Sequence, residues 1–122
     1  MKTLVILALA SLASLNLQAE DTTQADALFH KLLTAQVAKD YDAFVSDATT
    51  ELKAALTKTQ FEALSDLMVP KLAAGYEITT LGELNKKGYK VYLYRLRFKN
   101  GDDDILGTLS LKDDKVAGIY FK

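Results

Sequence analysis

The chain of 122 residues contains no cysteine, one histidine (His30) and one proline (Pro70). Without cysteine there can be no disulfide, no thiol catalysis, no zinc–thiolate site and no lipidated cysteine. A single histidine with no identified partner is weak ground for acid–base chemistry. Charge of either sign is also scarce as an excess: the formal net charge is −1. No basic tract is interleaved with aromatic residues, so nucleic acid is not an expected partner. Internal repeats, low-complexity segments and linkers are missing too, and the length suits one domain. A domain without covalent staples has to be held by its core.

The first nineteen residues read as a removable signal. Lys2 is the positive start, Leu4 to Leu12 the apolar stretch, and Leu17-Gln18-Ala19 ends on a small residue suited to cleavage. The apolar run is too short for a permanent span; a retained N-terminal anchor is the alternative. Cleavage after Ala19 leaves residues 20–122 as a secreted or periplasmic domain with no stable membrane anchor. Its formal charge is then −2, because Lys2 is lost.

From Thr22 to Lys39 the apolar positions Ala25, Leu28, Phe29, Leu32, Leu33 and Val37 recur at helical spacing. Asp21, Thr22 or Thr23 can cap that helix. Tyr41, Phe44, Val45 and Ala48 begin a second stripe behind Asp40. Leu52, Ala55 and Leu56 resume it beyond Thr49-Thr50, and the sequence leaves open one bent helix or two short ones. Thr57-x-x-Gln60 and Thr59-x-x-Glu62 are overlapping capping boxes ahead of Phe61, Leu64, Met68 and Leu72. Pro70 predicts an end or a kink near Val69, and Gly75 a stop.

After Gly75 the period changes to two. Tyr76, Ile78, Thr80 and Leu84 form one face of a first strand, with Glu77 and Glu83 on the other. Lys86-Lys87-Gly88 turns into Tyr89–Phe98, and Asn100-Gly101 with three aspartates makes the next turn. A third strand runs from Ile105, Asp113-Asp114 turns the chain, and Val116–Phe121 closes it. The expected fold class is α+β, with about three N-terminal helices packed on a four-stranded antiparallel meander.

Several local words carry a resemblance. They are Lys39-Asp40-Tyr41-Asp42-Ala43-Phe44, Leu56-Thr57, Gly75 before the first long strand, and Lys115-Val116-Ala117-Gly118-Ile119-Tyr120-Phe121. With the order of elements, they make residues 20–122 similar to small secreted members of the nuclear-transport-factor-2-like superfamily. That superfamily includes ketosteroid isomerases, SnoaL-type polyketide cyclases and a branch of domains of unknown function. The resemblance implies a cystatin-like, cone-shaped roll with a pocket between the helices and the concave face of the sheet. Its enzymes place a carboxylate base or an Asp–His pair there, and sheet-to-sheet dimers are common among them. The shared words are structural, so they imply a fold more strongly than an activity.

No catalytic residue, metal site or cofactor is expected from the residue types present. His30 reads as a partly exposed helix residue. Asp102-Asp103-Asp104 lacks the alternating oxygen ligands of a calcium loop and reads as a solvated hairpin tip. Tyr89–Phe98 is apolar or aromatic on both faces, where a strand with one wet face alternates. Tyr92, Tyr94, Leu96 and Phe98 are therefore the expected homodimer interface, unless the tyrosines simply lie on a solvated face. Arg95 and Arg97 share a face and can form a fork for an anion, lining a pocket mouth with Tyr89 and Tyr120; surface pairing with the hairpin aspartates is the alternative. Two functional readings follow. One is a non-enzymatic binding or interaction module, dimeric through its sheet, with a small anionic or apolar ligand. The other is a small pocket enzyme, isomerase- or hydrolase-like, with an isolated carboxylate base such as Glu77.

Overall fold

The computed structural model describes residues 23–122; the signal-peptide reading of residues 1–19 and the capping roles of Asp21 and Thr22 lie outside them. The architecture is α+β. Residues 23–38 are helical (α1), followed by α2 (Tyr41–Val45), α3 (Thr50–Ala55) and α4 (Lys58–Ala73). Then come β1 (Tyr76–Lys86), β2 (Tyr89–Phe98), β3 (Ile105–Lys112) and β4 (Lys115–Phe121), an antiparallel meander in the order β1-β2-β3-β4.

Four helices replace the expected three because the stretch from Asp40 to Leu56 is two short ones. Asp40 Oδ1 accepts from the Ala43 amide at 3.1 Å, and Thr49 Oγ1 accepts from the Leu52 amide at 3.1 Å. Each cap satisfies an amide that helix geometry leaves without a partner. Between them the chain runs extended at Ala48, which bridges Val116 in parallel and so covers part of the β4 edge. The capping box at α4 is Thr57–Gln60, with reciprocal bonds of 3.0 and 3.2 Å. That helix runs through Pro70 to Ala73. Pro70 lies in the last turn, where it removes one bond close to the end.

α1 buries Ala25, Phe29, Leu32, Leu33 and Gln36, whereas Val37 is 40% exposed. At about 100° per residue Gln36 falls within ~20° of Ala25 on the helix, and Val37 about 120° away, so geometry overrides polarity. The Gln36 amide and the Ser65 hydroxyl are both sealed in the core without a hydrogen-bond partner.

The helices cover one face of the sheet. At its centre Phe29 stacks on Tyr94, with centroids 4.2 Å apart and planes 12° from parallel. Phe121 flanks the pair, and Phe61 joins Tyr41 and Phe44 in a second aromatic group. Gly107 makes room for the stack, since a Cβ there would stand 2.6 Å from Phe29 Cζ. The β3–β4 turn is tight for another reason: Asp113 and Asp114 both have positive φ, 50° and 64°. Two such residues in a two-residue hairpin twist with the strands, at a steric cost that glycine avoids.

Gly107→Ala is expected to lower stability by about 1–3 kcal/mol, because a rigid buried ring must move. Asp114→Gly is expected to raise it by about 1 kcal/mol by relieving the left-handed backbone. Urea unfolding of the two variants checks both signs.

Candidate functional site: the uncovered face of the sheet

Tyr92, Tyr94, Leu96 and Phe98 belong to the face beneath the helices and are buried within the single chain. The expected interface is thus corrected: these four residues are core. The aromatic strand has two apolar faces, one packed beneath the helices and the other left open by the described residues. Where the resemblance implies a pocket, the Phe29–Tyr94 stack fills the space. Glu77, the candidate base, sits opposite Arg97 on the other face and is exposed.

A bulge between Thr80 and Gly82 changes the second half of β1. One extra residue reverses the alternation. Glu83, expected opposite Ile78's face, pairs with Tyr92 on that face. Leu84, expected to be inside with Ile78, pairs with Val91 on the open face and is 53% exposed. Regular alternation from Tyr76 missed this, although Gly82 in mid-strand was a signal for a bulge.

The register gives the open face in rows. Lys86, Tyr89, Lys112 and Lys115 form one end. Leu84, Val91, Ser110 and Gly118 follow, then Gly82, Leu93, Thr108 and Tyr120. Thr79, Arg95 and Leu106 come next, with Lys122 bonded to Leu106 through both backbone groups. Glu77 and Arg97 close the other end, beside Asp104. The second and third rows are apolar or hydroxylic; the charges stand in the first row and in the last two, Arg95 and Lys122 included. Tyr120, 67% exposed, leans over Gly118, where a Cβ would be 3.1 Å from its ring.

All four proposed ligand residues lie on this face, but they do not converge. Tyr89 and Arg95 are six positions apart on one strand, about 20 Å. The fork is also divided. Arg97 pairs with Asp104 at 3.3 Å, both ends exposed. Arg95 Nη2 donates to Thr79 Oγ1 at 3.3 Å, while its Nε is sealed and has no partner. Arg95 borders a shallow cavity of about 250 Å³ with Leu81, Leu106 and Lys122. Lys112 Nζ lies 5.5 Å from the Tyr89 ring centroid.

The remaining candidates carry less. His30 is exposed on α1. Asp102 is tied to Lys71 at 2.9 Å and to Asn100, which hold its carboxyl below the usual range. Among the described residues no three His, Asp or Glu side chains gather as metal ligands would. No protein-family profile and no curated protein matches the chain.

The Tyr94 hydroxyl is buried without a well-formed hydrogen bond. Burial foremost, and then the nearby Asp26 carboxylate, push its ionisation well above the ordinary phenol range. A raised folded-state value stabilises the fold fully below the unfolded phenol's pKa, and that stability is lost as pH climbs above it. Unfolding measured across pH is expected to show stability falling above about pH 10. Tyr94→Phe should shallow that fall.

Proposed function

We propose that this is an exported, non-enzymatic interaction module that pairs with a second copy through the uncovered face of its sheet. The carrying observation is the inversion of what a pocket enzyme needs. The space under the helices is filled by stacked rings, and large apolar side chains stand in solvent on the opposite face. Contiguous exposed apolar surface of this kind marks an interaction site. The element order and the local words of the sequence support a nuclear-transport-factor-2-like, cystatin-like roll. In this chain the pocket of such a roll has become core. The signal-like first nineteen residues support secretion or delivery to the periplasm. A small anionic or apolar ligand is a secondary reading, favoured by the cavity beside Arg95 with its sealed, unpartnered Nε.

The test compares the two faces of one strand. Leu93→Glu, at the centre of the open face, is expected to convert dimer to monomer with the fold kept. Leu96→Glu, in the core, should unfold the chain by about 3 kcal/mol or more, because it buries an unpaired charge. Sedimentation and circular dichroism on the two variants decide the matter. A wild-type monomer at every concentration, or a Leu93→Glu dimer, contradicts the proposal.

A further inference from the structure

The charges on the open face select one arrangement for the pairing just proposed, on which this inference rests. Two identical sheets packed face to face are related by a twofold axis lying in the plane between them. For sheets packed with their strands nearly aligned the axis runs along the strands or across them, and the register distinguishes the two.

With the axis along the strands, β1 of one copy lies over β4 of the other and each row meets itself. Lys86 then stands over Lys115 of the second copy, a like pair made twice, whereas Tyr89 over Lys112 and Arg97 over Asp104 are favourable, so the Lys86 contact separates the two arrangements. Like charges set against each other across an interface cost several kcal/mol.

With the axis across the strands, each strand lies over its own copy and the rows reverse. The row of Gly82, Leu93, Thr108 and Tyr120 sits on the axis and meets itself. Counting outward along β1, Lys86 meets Glu77 of the second copy. Along β2, Tyr89 meets Arg97, a cation over a ring. Along β3, Lys112 meets Asp104, which its own Arg97 already flanks. Symmetry makes every one of these contacts twice. The twist between stacked sheets displaces the ends by about one strand spacing, within reach of a lysine side chain.

We infer that the protein forms an antiparallel face-to-face homodimer about a twofold axis crossing the strands at Leu93. The Lys86–Glu77 and Lys112–Asp104 pairs fix its register. Four strands at about 4.8 Å and some 27 Å of length give a face of roughly 500 Å² per copy. The total, about 1,000 Å², is at the lower limit for a specific interface, so the dimer exchanges with concentration.

A charge exchange tests the register. The dissociation constant is measured by sedimentation equilibrium at low ionic strength, where charges are least screened. Lys86→Glu and Glu77→Lys are each expected to weaken the dimer about tenfold or more, and the double variant to return near the wild-type value. Lys112→Glu with Asp104→Lys is a second, independent exchange, and thermal unfolding of every variant checks that the fold is kept. A wild-type dimer that Leu93→Glu abolishes, but that neither exchange rescues, overturns the twofold and leaves the interaction reading standing. A wild-type monomer, or a dimer insensitive to Leu93→Glu, overturns both.

Discussion

The fold is organised by one contact, the flat stacking of Phe29 on Tyr94 above Gly107. An offset ring pair under full burial contributes packing energy beyond its area. It also fixes geometry: the tip of the Phe29 ring reaches the β3 backbone only because residue 107 has no side chain. Once α1 is set there, Ala25, Leu32, Leu33 and Ala35 join the common core. The second aromatic group, around Phe61, carries α2 and α4 onto the same layer.

That contact also closes the space under the helices. The resemblance implies a pocket there, and ring carbons occupy that volume. Tyr94 is held neutral by burial, and the Gln36 and Ser65 polar groups are enclosed without partners. None of them meets solvent.

The open face of the sheet depends in turn on a backbone irregularity. The bulge at Leu81–Gly82 inserts one residue into an edge strand, which turns Leu84 outward and places Leu81 at the cavity beside Arg95. Bulges on edges both reshape a surface and blunt unwanted edge pairing. The other edge, β4, is partly covered by the Ala48 bridge and its neighbouring hydrogen bonds, which leaves less of its backbone open to pairing.

Much of this was legible in the residues. The caps at Asp40 and Thr57, the stop at Gly75, the turns at Lys87-Gly88 and Asp113-Asp114 and the change of period after Gly75 are local signals. They depend on neighbours a few positions away, and together they specify α+β. Three things required the tertiary structure. Which face of β2 the helices cover was undetermined, because both faces are apolar and periodicity carries no sign. The exchange of Gln36 for Val37 was hidden because a one-residue rotation of a helix is decided by what it packs against. Pairing with a hairpin aspartate was one of the two readings of the arginines and holds for Arg97; that Arg95 instead donates to Thr79 was hidden because its partner lies across the β1 register. Local sequence determined the elements; long-range packing decided which of their faces remained available to a partner.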